Sequence, residues 1–273
     1  MTSFPNAKIN IGLNIISKRQ DGYHNIESLF YPVGAKDALE FVMQSPGKDY
    51  DELIVTGIET GCNMEENFVI KAIKLLRKEY SIPFLKIHLH KVIPPGSGLG
   101  GGSSDAAFML KYLNRYFSLN IDNQGLIDLS LKIGSDCAFF INNKPALIRG
   151  RGEVIKEIGF SLEGKYLLLV YPGIPISTAE AYSMVNPRMP DKSIAEGIKQ
   201  AVSEWRSTIK NDFQDIIIDR YPLIGKIINK IYNEGALYCS LSGSGSTVYG
   251  IFEALPSSST IDDYWTWRGT FAI

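Results

Sequence analysis

The chain has 273 residues, of which 45% are hydrophobic and 21% are charged, a composition typical of a globular protein with one large domain or two compact ones. Its formal net charge of −1 excludes the electrostatic attraction of a basic protein to nucleic acid or anionic lipid, so we expect neither partner. The first residues lack the features of a signal peptide, and three widely spaced cysteines predict buried, reduced thiols, which together favour the cytoplasm.

The N-terminal part of the chain predicts strands. Residues 7–16 alternate between polar and apolar side chains, so Lys8 and Asn10 lie on one face of the first strand and isoleucines lie on the other. The remaining features of this part are strands at 26–33 and 38–43 and the turn motif DGYH at 21–24.

A helix and a strand follow. Asn63 is a suitable N-cap for a helix that we predict to run through residue 80, because Glu66 stands three positions later and apolar residues recur at helical spacing. Residues 85–92 alternate cleanly and predict a strand that leads directly into a glycine-rich loop.

This loop, PPGSGLGGGSS at 94–104, indicates a phosphate site. Glycine has no Cβ, so the backbone amides can approach an anion closely. Ser103 or Ser104 is predicted to cap the next helix, and the amides at a helix N-terminus favour phosphate. A Walker loop would need a lysine that is missing here, and a dinucleotide fingerprint would need an acidic residue at the end of a strand, which Asp122 does not provide.

The second half of the chain mixes helices and strands irregularly. A helix is predicted at 122–133 with Gly134 as a left-handed terminator, and a domain boundary is predicted near Phe160. The later elements are a strand at 166–171, helices at 178–185, 192–206 and 222–235, and strands at 236–241 and 247–252. Because strands and helices do not alternate regularly, we predict an α+β fold with domains at 1–160 and 161–273.

Four motifs in this order resemble the GHMP kinases: AKIN at 7–10, DGYH at 21–24, PPGSGLGGGSSDAA at 94–107 and GSG at 243–245. The resemblance runs from Ala7 to about Phe252. It implies a two-domain GHMP-kinase fold with the nucleotide on the first domain and the active site in the interdomain cleft. Residues 265–273 depart from the proline- and histidine-containing ending of many members, so the resemblance assigns them no role.

Lys8, the DGYH turn and the sequence GSD at 134–136 narrow the resemblance to members that phosphorylate the 2-hydroxyl of a methylerythritol carried on cytidine diphosphate. That reaction belongs to the non-mevalonate synthesis of isoprenoid precursors. The resemblance therefore implies a small-molecule substrate, ATP and Mg²⁺ as cofactors, and a monomer or homodimer.

Two residues are implied to be catalytic. Asp136 would orient the substrate hydroxyl and receive its proton, and Lys8 would pair with Asp136 and offset charge on the transferring phosphoryl group. Asn10 would bind the substrate or orient Lys8. The alternative interpretations are a helix-terminal turn aspartate for Asp136 and a solvated strand lysine for Lys8.

The remaining site residues are also implied by the resemblance. Tyr23 would stack on cytosine, His24 would contact its polar edge and Tyr182 would cover its other side, although Tyr182 suits a partly buried helix position equally well. Gly243 and Ser244 would approach the substrate phosphates. Mg²⁺ would be supported by Ser104, Asp105 or Asp136, and Asp105 is equally well interpreted as a first-turn helix acid. The residues implied to hold ATP are Asn67, Lys91, Pro94, Pro95, Gly96, Ser97, Gly98, Leu99, Gly100, Gly101, Gly102, Ser103 and Ser104.

Two other functions stay open at this point. One is a different GHMP-type kinase of mevalonate-like or homoserine-like specificity, which would share the nucleotide site but has no need of an aromatic platform for a base. The other is a catalytically silent nucleotide-binding module.

Overall fold

A computed structural model describes residues 2–256 and 263–271. The strands are β1 (Thr2–Ser3), β2 (Asn6–Lys18), β3 (His24–Lys36), β4 (Ala38–Met43), β5 (Glu52–Gly57), β6 (Leu85–Lys91), β7 (Ala146–Gly150), β8 (Val154–Glu157), β9 (Tyr166–Tyr171), β10 (Tyr238–Leu241), β11 (Val248–Phe252) and β12 (Trp265–Thr270). The α-helices are α1 (Phe68–Arg77), α2 (Gly101–Tyr116), α3 (Asn123–Leu131), α4 (Cys137–Asn142), α5 (Thr178–Met184), α6 (Ile194–Gly197), α7 (Trp205–Thr208), α8 (Gln214–Arg220) and α9 (Pro222–Asn233). In these two ranges no helix is both long and apolar enough to cross a membrane.

The chain forms two compact units, each assembled from several segments. The smaller unit comprises residues 1–7, 35–95 and 100–143, and the larger unit comprises 8–34, 96–99 and 144–273. The prediction instead placed one boundary at residue 160, so that each domain would be a continuous segment of the chain. The difference arises because β3 pairs with β7, which joins a segment near the N-terminus to one beyond residue 144.

The smaller unit holds a sheet in the order β1-β4-β6-β5 together with helices α1–α4. Strand β6 is antiparallel to β4 and parallel to β5. Its Leu85, Ile87 and Leu89 are buried while the residues between them are more exposed, as the alternating sequence predicts. Helices α1 and α2 contact each other, and Ala106, Met109, Leu110 and Leu113 of α2 are buried at helical spacing. The core of this unit therefore follows directly from the two hydrophobic periodicities.

The larger unit holds two sheets, in the orders β2-β3-β7-β8 and β10-β11-β9-β12, together with helices α5–α9. Strand β9 lies between β11 and β12, which explains why Leu167, Leu168, Leu169 and Val170 are all fully buried. Helix α9 begins with Pro222 and contacts β10 and β11. Because a proline at the first helical position loses no intrahelical hydrogen bond, the sequence defines this helix start well.

Several predicted elements differ from the structure. The predicted helix at 192–206 is wrong: α6 and α7 are each four residues long and a 3-10 turn precedes α7. The predicted helix from Asn63 is divided, because the capping box of Asn63 and Glu66 closes a 3-10 turn and α1 begins again with Asn67 as N-cap. Gly134 is not in the left-handed region, so it does not end α3 as predicted.

The cysteine prediction is confirmed for two of three residues. Cys137 and Cys239 are buried, whereas Cys62 is exposed, and all three are free thiols. Cys62 lies in the segment that links β5 to the Met64–Glu66 turn, and this segment has no helical or strand periodicity from which burial could be predicted.

Candidate active site

The glycine-rich loop ends at a left-handed residue that begins a long helix. Gly100 has φ +71° and is the N-cap of α2, which has 16 residues. The prediction that Ser103 or Ser104 caps this helix is wrong, because α2 already begins at Gly101 and both serines lie in its first turn. No side chain accepts a capping hydrogen bond here, so the first amides and the helix dipole favour a phosphate group.

Residues 96–99 of the loop pack tightly within the larger unit. A Cβ added at Gly98 would lie 2.0 Å from the carbonyl oxygen of Ser242, so only glycine fits this position. The Ser242 hydroxyl donates to the Gly98 carbonyl over 2.8 Å, and the Thr247 amide donates to the Ser97 carbonyl over 3.1 Å. Ser97 and Leu99 are buried, whereas Gly96 is exposed.

The predicted turn at Gly243 and Ser244 lies in the same region. A Cβ at Gly243 would lie 3.3 Å from Oδ1 of Asn10, which brings this turn close to a predicted substrate residue. Ser244 is 9% exposed, and its hydroxyl lies 3.3 Å from that of Thr178 at the start of α5. The turn is therefore held from two sides by hydrogen bonds and close packing.

Lys8 is buried on β2 rather than solvated, which excludes the alternative interpretation of this lysine. It is 3% exposed, its amide donates to the Leu99 carbonyl over 2.9 Å, and its Nζ lies 4.4 Å from the Phe30 ring centroid. Its Nζ also donates to Oδ1 of Asn10. The backbone amide of Asn10 donates to the Ser242 hydroxyl over 3.3 Å. Hydrogen bonds thus connect β2, which carries Lys8 and Asn10, to the glycine-rich loop and to Ser242.

Asp136 directly precedes α4. It has helical dihedral angles and its side chain makes no capping hydrogen bond, so the carboxylate does not serve the amides of its own helix. The residue is half-buried. Asp136 therefore occupies the helix-terminal turn that the alternative interpretation describes, but its side chain does not cap the helix.

Lys91 lies in a buried cluster of charges. Its Nζ contacts Oδ2 of Asp37 and lies 2.8 Å from Oδ2 of Asp105, and all three side chains are at most 3% exposed. The other oxygen of Asp37 accepts hydrogen bonds from the amides of Val92 and Ile93 over 2.6 and 2.9 Å. The cluster ties the end of β6 and the start of the glycine-rich loop to the first turns of α2. The Lys91 ammonium is therefore engaged by carboxylates, in contrast to its predicted contact with adenosine.

Ser104 and Asp105, two of the residues predicted to support Mg²⁺, differ in how well they suit this ion. Burial raises the pKa of Asp105 to about 7, against the opposing effect of Lys91. Within the described part of the chain, Ser104 Oγ and Asp105 Oδ1 are buried without a hydrogen-bond partner. Oxygen donors of this kind suit Mg²⁺, but consecutive helical residues point in different directions and the Lys91 ammonium opposes a cation at Asp105. The chemistry therefore fits Ser104 as a ligand and does not fit Asp105.

Asn67 borders a groove in the smaller unit. Its side chain caps α1 by accepting from the Val69 amide over 2.9 Å, and it is 7% exposed. The groove has a volume of about 430 Å³ and is lined by β5, by residues 58–64 including Cys62, and by Asn67. Small-molecule sites typically start at roughly 300 Å³, so the groove has room for a nucleoside-sized group. The sequence did not predict β5 or this groove.

The aromatic residues of the DGYH turn lie next to Tyr182 and Arg151. His24 stacks on Tyr182 with ring centroids 4.9 Å apart, and Tyr182 packs edge-on against Phe213. Tyr23 is 55% exposed, and the Arg151 guanidinium lies 5.2 Å from its ring centroid. Burial lowers the pKa of His24, with a contribution from Lys18, so its ring is neutral at pH 7. The structure thus presents a neutral His24–Tyr182 stack with an exposed tyrosine next to it in sequence.

Comparison with known proteins identifies relatives over nearly the whole chain. The sequence matches the family described as GHMP kinases N terminal domain over residues 67–144, and GHMP kinases C terminal over residues 193–262. It is 49% identical to a 4-diphosphocytidyl-2-C-methyl-D-erythritol kinase of Bacteroides thetaiotaomicron, with 93% of this chain and 92% of the relative aligned. It is 47% identical to the protein of the same name from Parabacteroides distasonis, with 98% and 99% aligned.

Solved structures show the same similarity. A crystal structure of 4-(cytidine 5'-diphospho)-2C-methyl-D-erythritol kinase superposes with a TM-score of 0.82 and 27% identity, covering 99% of this chain and 98% of that one. The homoserine kinase of Cytophaga hutchinsonii superposes with a TM-score of 0.67 and 15% identity over 97% and 94% of the two chains. The second similarity shows the shared fold alone.

Proposed function

The chain belongs to the GHMP kinases, and on this basis we propose that it transfers the γ-phosphoryl group of ATP to the 2-hydroxyl of 4-diphosphocytidyl-2-C-methyl-D-erythritol. Two relatives that carry this substrate in their names align over nearly their full length at 49% and 47% identity, which supports the choice of substrate. The activity belongs to the non-mevalonate synthesis of isoprenoid precursors.

One structural observation carries the proposal. The buried Lys8 donates its amide to Leu99 of the glycine-rich loop and its ammonium group to Asn10. Phosphoryl transfer needs little covalent chemistry from a protein, since catalysis comes mainly from alignment and from compensation of charge. A cation fixed by backbone and side-chain hydrogen bonds meets this need, because little reorganisation is required when charge develops.

We assign the catalytic roles to Asp136 and Lys8. Asp136 orients the 2-hydroxyl and receives its proton, which leaves late in a loose transition state. Lys8 offsets the negative charge of the phosphoryl group as it moves. Asn10, which accepts a hydrogen bond from the Lys8 ammonium, fixes the direction of that group. Ser104 is the residue that would hold Mg²⁺, which neutralises charge on the ATP phosphates when bound.

The nucleotide is proposed to bind with its phosphates at the N-terminus of α2 and its adenosine in the groove beside Asn67. The capless N-terminus of α2 and the groove volume of about 430 Å³ support this orientation. Pro94, Pro95, Gly96, Ser97, Gly98, Leu99, Gly100, Gly101, Gly102 and Ser103 complete the phosphate loop. Lys91 would support nucleotide binding indirectly, because its ion pairs with Asp37 and Asp105 hold the ends of this loop in place.

The cytidine is proposed to bind at the His24–Tyr182 stack. An aromatic platform suits a nucleobase, because stacking one base on an aromatic side chain contributes roughly 1–3 kcal/mol to binding. The exposed Tyr23 offers a further ring for this purpose. Gly243 and Ser244 approach the diphosphate of the substrate through the turn that contacts Asn10.

A substrate-resolved kinase assay tests the proposal. The purified chain is incubated with ATP and Mg²⁺, and ADP release is followed with 4-diphosphocytidyl-2-C-methyl-D-erythritol, mevalonate or homoserine as acceptor. We expect release with the first acceptor alone. Release with mevalonate or homoserine instead would reassign the substrate within the family. No release with any acceptor, despite bound ATP, would favour a silent nucleotide-binding module.

A further inference from the structure

A buried series of hydrogen bonds leads from Lys8 back to the backbone of its own strand, β2. The Lys8 ammonium donates to Oδ1 of Asn10, Nδ2 of Asn10 donates to the Ser28 hydroxyl over 3.0 Å, and this hydroxyl donates to the Gly12 carbonyl over 2.6 Å. Lys8, Asn10 and Ser28 are at most 3% exposed. Ser28 belongs to β3, which neighbours β2 in the sheet. It therefore lies directly behind two residues of the proposed reaction.

The direction of each hydrogen bond follows from the chemistry of the groups. The Gly12 carbonyl can only accept, so the Ser28 hydroxyl uses its single hydrogen on it. The Ser28 oxygen is then left as an acceptor, which selects the NH2 end of the Asn10 carboxamide. The Lys8 ammonium can only donate, which selects the oxygen end. Ser28 and Lys8 therefore favour the same orientation of Asn10, and the carboxamide is held at both ends.

The acceptor at the end of the series is a fixed backbone atom. Gly12 has φ +69° within β2, a left-handed conformation typical of a β-bulge. A Cβ at this position would lie 2.7 Å from Cγ2 of Ile209, so both the backbone and the packing favour glycine. Because the Gly12 carbonyl cannot rotate as a side chain does, it gives the Ser28 hydroxyl a single direction.

We propose that Ser28 is a positioning residue for phosphoryl transfer, because its hydroxyl fixes the Asn10 carboxamide and thereby the direction of the Lys8 ammonium. The inference rests on the proposed kinase function, in which Lys8 offsets charge on the moving phosphoryl group. Ser28 is fully buried, so it acts through Asn10 and not by contact with a substrate. Without its hydroxyl, the buried NH2 group of Asn10 loses this acceptor and the carboxamide is held less firmly. A charged group that is less well preorganised stabilises the transition state less.

The test compares the steady-state kinetics of variants of the full chain, with ATP and with 4-diphosphocytidyl-2-C-methyl-D-erythritol as acceptor. Ser28→Ala removes the hydroxyl, and Ser28→Thr keeps it and serves as rescue. The control is Ser130→Ala, because Ser130 is also fully buried and its hydroxyl also donates to a backbone carbonyl, that of Ile127, over 2.7 Å. We expect kcat to fall about tenfold to a hundredfold in Ser28→Ala, with KM for both substrates unchanged. Ser28→Thr and Ser130→Ala should keep the kcat of wild type.

A purely structural role of Ser28 predicts a different result. The melting temperature would then fall in Ser28→Ala and in Ser130→Ala alike while kcat stayed at the wild-type value in both, and this outcome would overturn the proposal. Ser28→Cys covers the case in which Ser28→Ala does not fold, because a thiol fills the position but is a weak donor and acceptor. We expect a lower kcat in this variant as well, and a wild-type value would contradict the proposal.

A double variant tests whether Ser28 acts through Asn10. Asn10→Ala alone should lower kcat, and Ser28→Ala added to it should have little further effect, since the carboxamide to be positioned is gone. A further loss of about tenfold in that background would show another route and overturn the inference. An active wild type with unchanged kcat in Ser28→Ala contradicts this inference alone, whereas a wild type that phosphorylates no acceptor contradicts the proposed function as well.

Discussion

The Lys91 ammonium lies 2.8 Å from a carboxylate oxygen of Asp105, and both side chains are buried. Burial raises the pKa of Asp105 from 3.8 to about 7 in spite of this ion pair. The folded chain therefore holds a proton on Asp105 in a range of pH where the unfolded chain has released it. Linkage requires that the contribution of this site to stability falls as pH rises from about 4 through about 7, and that it levels off above about 8.

The first prediction concerns the pH dependence of stability. Asp105→Asn removes the titrating group, so wild type should lose stability relative to this variant between pH 4 and pH 7. The difference in unfolding free energy should then level off above about pH 8. Urea unfolding at several pH values measures it, and the exposed Asp128→Asn serves as control. A difference that moves in the opposite direction would mean that the Asp105 pKa is depressed.

The second prediction compares two glycines of the loop. Gly96 and Gly98 both have left-handed φ values, of +64° and +83°, but a Cβ at Gly96 meets nothing within 4 Å whereas one at Gly98 meets the Ser242 carbonyl. Gly96→Ala should lower the unfolding free energy only by the penalty for an L-residue in the left-handed region, about 1–2 kcal/mol. Gly98→Ala should lower the unfolding free energy clearly more and raise KM for ATP, because the loop has to move. Similar stabilities of the two variants would show that the loop yields easily at Gly98.

The third prediction concerns the catalytic pair. Asp136→Asn should reduce kcat by roughly 10²–10⁴, because it removes the proposed general base. The Asp136 side chain makes no capping hydrogen bond to α4, so the fold should be kept and KM for ATP should stay unchanged. Lys8→Met should also reduce kcat. If the two groups act as a unit, the double variant should lose far less than the product of the two single effects. Strictly multiplicative losses would indicate independent roles.

The fourth prediction concerns the aromatic stack. Tyr182→Leu removes the ring that faces His24 at 4.9 Å, so KM for the cytidyl substrate should rise about tenfold while KM for ATP stays the same. Tyr182→Phe keeps the ring and should behave like wild type. An equal effect of both substitutions would show that the hydroxyl group, rather than stacking, matters at this position.

Local sequence patterns predicted many elements accurately. The strands at 38–43 and 166–171 have the predicted bounds, and α5 begins after Ser177 as its capping preference indicates. Such elements depend on neighbours in sequence, which periodicity and capping describe. The strands β5 and β12 were missed because each is only partly buried, so apolar and polar residues do not alternate clearly along it.

The environment of single side chains was harder to predict. Lys91 was expected at the nucleotide because its position next to the loop resembles that of relatives. Its actual partner Asp37 lies 54 positions earlier and carries no motif. Similarly, the contact between His24 and Tyr182 was not predicted, because it joins residues that are far apart in sequence. Partners distant in sequence decide such details.

The exposure of Cys62 provides a direct way to test whether a nucleotide binds in the groove beside it. Cys137 and Cys239 are buried, and burial raises the pKa of both thiols, so neither reacts readily with a maleimide. A fluorescent maleimide will therefore attach at Cys62, on the wall of the 430 Å³ groove. If ATP binds in this groove as proposed, it should slow the labelling of the unsubstituted chain by shielding the thiol.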